Sequence, residues 1–188
     1  TDLNNISMIT LVVKAFAGDK TILKAIEKTP IETIGDSRIQ NLKAFKDTRF
    51  KKMLLRIPML SEVKDVIRYA DISLNSELET IKALNHEAKT AGKTHDILLM
   101  FDLGDLREGI YYTDEYLELI GQVLAMPNIQ LVGIGTNLTC YGGLVPNRKI
   151  LERLIAVKDR IESEFSIDLK IISGGNSSTV TLFGRNAI

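Results

Sequence analysis

The chain contains no tryptophan, a single cysteine, two histidines and four prolines in 188 residues, and each shortage excludes something. One cysteine, Cys140, cannot form an internal disulfide, so the fold must rest on a core rather than on cross-links. The histidines, His86 in a helical pattern and His95 ahead of a strand, have no cysteine or histidine at ligand spacing, which argues against a zinc site. Lysine plus arginine equals aspartate plus glutamate at 24 each, and no basic run stands out. Nothing in that balance marks a partner such as nucleic acid or an anionic membrane surface, and a small molecule is the expected ligand. No apolar run approaches the roughly 20 residues of a membrane span. There is no signal peptide pattern, so a reducing cytoplasm is the expected location.

What the chain does have is 45% apolar residues, enough at this length for one sizeable core, and residues 1–188 are expected to form one domain. It starts without methionine and stops abruptly at Ile188, which suggests a piece of a longer protein. Its apolar residues come in short runs separated by helical patterns. Residues 8–13, Met-Ile-Thr-Leu-Val-Val, read as a strand buried on both faces, like a parallel strand under covering helices. Gly18 and Asp19 then turn the chain and cap a helix carrying Ile22, Leu23 and Ile26. The same alternation gives strands at 31–34, 52–57, 72–74, 96–101, 129–134 and 169–172. Helices are expected at 37–45, 60–69, 113–126 and 147–165. Ser76, with Glu79 three residues on, reads as a capping box opening a further helix towards Gly92. Seven βα units with short apolar strands imply parallel pairing by right-handed crossovers, hence an α/β fold. A doubly wound sheet and a TIM-type (β/α)8 barrel both fit. No eighth strand is visible before Ile188, so a barrel would be truncated after its seventh βα unit.

Lys14 closes the first apolar run. An ammonium is costly to bury unless paired or neutralised, so Lys14 either emerges where the strand ends or does chemistry there, and in α/β folds those are one rim. A surface lysine that ends the strand is the plain alternative. Other strand ends gather polar residues too: Asp36 to Arg38, Arg56, Asn75, Ser76, Asp102, Arg107, Thr136 and Asn137. Ser173-Gly174-Gly175-Asn176-Ser177-Ser178 has the character of a phosphate cradle, with glycines that let backbone approach an anion and hydroxyls where a helix begins. Ordinary helix capping would use the same residues. Arg107, between Gly104 and Gly109, offers a planar fork to a carboxylate or an aromatic oxyanion, or else forms a surface ion pair with Glu108 or Asp105. Cys140 has no histidine partner in view, which favours a small buried or rim residue over a nucleophile. An amine on the first strand together with a phosphate cradle after the seventh points to pyridoxal 5'-phosphate, which needs both.

Seven stretches, VVKAFAGD, IGDSRIQNL, MLLRIPMLSEV, SLNSELETIKAL, FDLGDLREGI, GTNLTCYGG and ISGGNSS, follow one another over nearly the whole chain. Together they resemble the pyridoxal-phosphate-dependent alanine/ornithine racemase family, and most of all its ornithine racemase branch. The resemblance implies an amino-acid racemase, with ornithine as substrate or alanine or another amino acid in its place. It also admits a carrier that binds the cofactor without turnover. A phosphate-binding barrel without the lysine–cofactor bond remains a third reading. By resemblance, Lys14 matches the lysine that bonds the cofactor, and Arg107 the arginine near the cofactor's phenolic oxygen and the substrate carboxylate. Asn176 and Ser177 match the phosphate-side pair, on the loop with Ser173, Gly174 and Gly175. Asn137 stands where alanine racemases stack a histidine on the cofactor ring, and Gly18 where they carry a phosphate-binding tyrosine. The resemblance further implies an arginine near the pyridine nitrogen, a C-terminal β-domain with a catalytic tyrosine, and a homodimer across which that tyrosine reaches. Neither of those segments falls within residues 1–188.

Overall fold

The computed structural model describes residues 9–139, 143–174 and 177–182, and these fall into two compact units. The first comprises residues 9–97 with Pro127–Gln130. The second comprises Leu98–Met126 and the described residues from 131 onward.

In the first unit, strands β1 (Thr10–Val12), β2 (Thr33–Asp36), β3 (Lys51–Leu54) and β4 (Ile72–Asn75) alternate with helices α1 (Lys20–Ile26), α2 (Ile39–Ala44), α3 (Val63–Tyr69) and α4 (Leu78–Thr90). All three strand pairings are parallel, with Thr10 beside Thr33, Thr33 beside Lys51 and Met53 beside Ile72. Each strand is laid next to the one before it and none returns to the far side. That is the winding of a barrel; a doubly wound sheet reverses direction at a switch point. Val13, Leu23, Ile34, Phe45 and Phe50 form a buried cluster here, with Leu11, Phe16, Ile26, Ile31 and Ala44 packed against it.

Two expectations are corrected in this unit. β1 is not buried on both faces: Thr10 and Leu11 are half-buried and Val12 is 49% exposed. Among the described residues β1 pairs with β2 alone, so its other edge has no neighbouring strand to cover it. Ser76 does not cap α4 either. The N-cap is Glu77, with no side-chain bond to the helix, so Glu79 falls one position too early for a capping box and instead pairs with Lys82 at 2.7 Å. The Asp19 cap does form, its carboxylate accepting from the Thr21 and Ile22 N–H groups.

In the second unit, β5 (His95–Asp102) contributes its last five residues, followed by β6 (Ile110–Tyr111), α5 (Leu117–Leu124), β7 (Ile129–Gly135) from Leu131 on, α6 (Arg148–Phe165) and β8 (Ile171–Ser173). A 3-10 helix, Ser177–Leu182, ends the described chain. β6 was not expected. It is a two-residue parallel extension of the β5 ladder, Phe101 beside Ile110, within the long loop after β5. β7 and β8 pair in parallel from Gly133 beside Ile171 to Gly135 beside Ser173. A Cβ on Gly133 would sit 2.0 Å from the Ile171 carbonyl oxygen, so this approach requires glycine. Asn147 caps α6 through the Ile150 N–H, and Ile150, Leu154, Val157 and Ile161 form the helix's buried stripe.

Candidate active site

Lys14 lies immediately beyond β1, as the first residue of a 3-10 turn, Lys14–Phe16. Val13 before it is fully buried and donates its N–H to the Gly35 carbonyl at 2.9 Å, extending the pairing one residue past the strand. Ala17 (φ 45°) and Gly18 (φ 84°) then take left-handed conformations and deliver the chain to the Asp19 cap. The chain thus leaves the core between Val13 and Lys14. Lys14 is exposed, and its ammonium has no ion-pair or hydrogen-bond partner among the described residues.

Around the other strand ends of this unit the polar groups are tied down. Buried Asp36 accepts from the Arg38 N–H at 2.8 Å and from Asn41 Nδ2 at 3.0 Å. Arg56 donates Nε to the Ser37 carbonyl at 2.7 Å and forms an ion pair with Glu62. Asn75 is buried at the end of β4 and donates Nδ2 to the Ser73 carbonyl and hydroxyl. Ser73 Oγ in turn lies 2.9 Å from His95 Nε2. Asn75 Oδ1 has no partner among the described residues.

The second unit brings together three of the remaining candidates. The loop after β5 is folded by Asp102, whose Oδ1 accepts the N–H groups of Gly104 at 2.8 Å and Leu106 at 3.1 Å. Leu106 (φ 53°) and Gly109 (φ 121°) bracket Arg107 and Glu108. Arg107 Nε is 2.5 Å from Glu108 Oε2, and Asn137 Nδ2 donates to Glu108 Oε1 at 2.5 Å. The ion pair that was the plain alternative for Arg107 therefore forms with Glu108. Asp105 takes no part in it: it is buried and accepts from the Leu144 N–H at 2.8 Å, with Oδ2 left without a partner among the described residues.

On the β7–β8 side, the Thr136 N–H donates to the Ser173 carbonyl at 3.0 Å, while the buried Thr136 hydroxyl has no partner among the described residues. Ser178 Oγ meets Thr139 Oγ1 at 3.0 Å, tying the segment after β8 to the loop after β7. A Cβ on Gly174 would meet only Leu151 Cδ2, at 3.8 Å. Gly175, Asn176 and Cys140 lie outside the described residues, as does the Ser177 side chain. The residue that sequence reasoning undervalued is Glu108, considered only as an ion-pair partner for Arg107. Its link to Asn137 joins positions far apart in the chain, and no spacing rule reveals it.

The family described as alanine racemase, N-terminal domain, matches residues 3–187. The chain belongs to that family, and the TIM-type barrel expected from the sequence is the fold it shares with the solved alanine racemases. It is similar to the ornithine racemase of Acetoanaerobium sticklandii, with 49% identity over 178 residues that cover 95% of this chain and 50% of the relative. The lysine racemase of Thermotoga maritima is 32% identical over 88% of this chain and 46% of its own length. Among solved structures, an alanine racemase from Clostridium difficile 630 superposes with a TM-score of 0.81 at 18% identity, over 96% of this chain and 49% of that one. The chain thus spans about half the length of the curated relatives it matches. No helix among the described residues is long and apolar enough to cross a membrane.

Proposed function

We propose that this chain is the cofactor-binding domain of a pyridoxal-phosphate-dependent amino-acid racemase that interconverts L- and D-ornithine. The observation that carries the reading is Lys14, an amine set at the rim by the end of β1 and left without a partner among the described residues. The residue types suit the cofactor: an amine, an amide and a glycine–hydroxyl loop. Lys14 would take its carbonyl, the loop of Ser173, Gly174, Gly175, Asn176 and Ser177 its phosphate, and Asn137 would lie beside its ring. The buried Thr136 hydroxyl, hard by Ser173 and without a partner among the described residues, is the kind of polar atom that a bound group satisfies.

When bound, pyridoxal phosphate supplies the electron-withdrawing system that acidifies the substrate's Cα–H. Lys14 Nζ takes or returns the proton on one face of that carbon. Arg107 orients the substrate carboxylate through Nη1 and Nη2, since the Glu108 carboxylate lies against Nε. The opposite face needs a second acid–base group, which the family resemblance assigns to a tyrosine of a further domain, reached across a homodimer. Both curated relatives are named for diamino acids, which supports a basic substrate, and the higher identity favours ornithine over lysine.

The test uses full-length protein incubated with pyridoxal phosphate, reduced with borohydride, digested and mapped by mass. The label falls on the peptide containing Lys14, and the protein racemises L-ornithine. Lys14→Ala loses the label and at least about 10²-fold in turnover, the scale of one acid–base group. Labelling of a different lysine, or wild-type turnover by the variant, overturns the reading.

A further inference from the structure

We propose that Glu108 is a positioning residue for Arg107, setting the guanidinium's direction by bridging it to Asn137. The proposal rests on the racemase reading only for what Arg107 then does to substrate. Both carboxylate oxygens are used, one within its own loop and one from the loop after β7: Oε2 lies 2.5 Å from Arg107 Nε, and Oε1 accepts from Asn137 Nδ2 at 2.5 Å. Sequence neighbours in extended chain point apart, so an Arg–Glu pair at adjacent positions needs a bent backbone. The loop supplies it. Leu106 is left-handed on one side, and Gly109 on the other lies so close to β5 that a Cβ would be 2.7 Å from the Asp102 nitrogen. Asp102 pins the same loop from within. The Arg107 and Glu108 side chains are 30% and 21% exposed, so the pair is partly withdrawn from water.

This arrangement decides which donors Arg107 presents. With the Glu108 carboxylate against Nε, the two terminal nitrogens remain as the fork, and they have no partner among the described residues. A planar carboxylate meets such a fork with two parallel bonds. Anchoring one edge also restricts a long side chain before substrate arrives, which lowers the ordering cost of binding. Asn137 completes the device, because it fixes Glu108 from the end of β7 and keeps the carboxylate from following Arg107 into other rotamers.

Glu108→Gln in the full-length protein separates charge from shape. Glutamine can still meet Asn137, but it cannot pair with the guanidinium's charge. With cofactor bound, KM for the amino acid rises about tenfold or more while kcat changes less, as expected when a substrate-orienting contact is loosened. In an Arg107→Gln background the same substitution has almost no further effect; additive losses would mean that Glu108 acts independently of Arg107 and would overturn the proposal. A second readout needs no turnover. In cofactor-free protein the Arg107 Nε resonance, assigned by its loss in Arg107→Gln, is displaced from the free-arginine position by the adjacent carboxylate. Glu108→Gln returns it towards that position. If the wild-type resonance already sits there, the pairing is wrong whatever the protein does to amino acids. If the pairing is seen and no amino acid is racemised, the functional reading alone fails.

Discussion

Burial holds His95 neutral: desolvation, with a smaller push from Lys93 and an opposing pull from Asp71, lowers its pKa to about 4. The unfolded chain takes up this proton near pH 6.5 and the folded chain only near pH 4, so within that window the unfolded state binds more protons. Stability therefore falls as pH drops from about 6.5 to about 4 and levels off below, with a total swing of at most about 3 kcal/mol. Urea midpoints of wild type and His95→Gln should converge as pH falls across this window; a constant gap would show that His95 titrates normally. The sequence marked His95 only as a residue ahead of a strand. Its neutrality comes from burial that only the folded chain creates, where it also meets Ser73 of another strand, and no local pattern encodes either. Lys14 was legible for the opposite reason, since a lone charge closing an apolar run stands out without any knowledge of neighbours. Arg107 was half legible: glycines flag its loop, but the Glu108–Asn137 link that fixes it is tertiary.

Element existence followed from apolar periodicity, and all seven expected strands are present in order, whereas element ends depended on hydrogen bonds that compete locally. The helix expected at 60–69 begins as a 3-10 turn, Leu60–Glu62, before α3, and the one expected at 113–126 contracts to Leu117–Leu124. Caps show the same division. Asp19 and Asn147 each accept backbone N–H bonds from their helices, so Asp19→Ala or Asn147→Ala should cost about 1 kcal/mol. Ser76→Ala should change stability by less than about 0.5 kcal/mol, because α4 takes its cap at Glu77. Chemical denaturation of the three variants side by side distinguishes a working cap from a sequence pattern that resembles one. The β7–β8 pairing gives a harsher case. Gly133→Ala would drive a methyl group into the Ile171 carbonyl, with a cost of about 3 kcal/mol or more and loss of the ladder by hydrogen exchange. A variant that melts with the wild type would contradict the register.

At the scale of the whole molecule, the match to relatives about twice as long turns attention to what the complete protein selects. Assayed at full length with pyridoxal phosphate, catalytic efficiency should follow the order ornithine, lysine, alanine, with chiral chromatography of the products as the measurement. Alanine turned over faster than ornithine would reject the basic-substrate assignment. The fold carries a different consequence for how such a protein is made. In the first unit, order along the chain equals order in space, and the cluster of Val13, Leu23, Ile34, Phe45 and Phe50 is complete before β3 begins at Lys51. Closing such short loops costs little chain entropy, so these contacts form early relative to distant ones. A ribosome emitting the chain from its N-terminus releases this entire nucleus while β5 and everything after it are still untranslated, and the nascent segment can condense in the order in which it is synthesised.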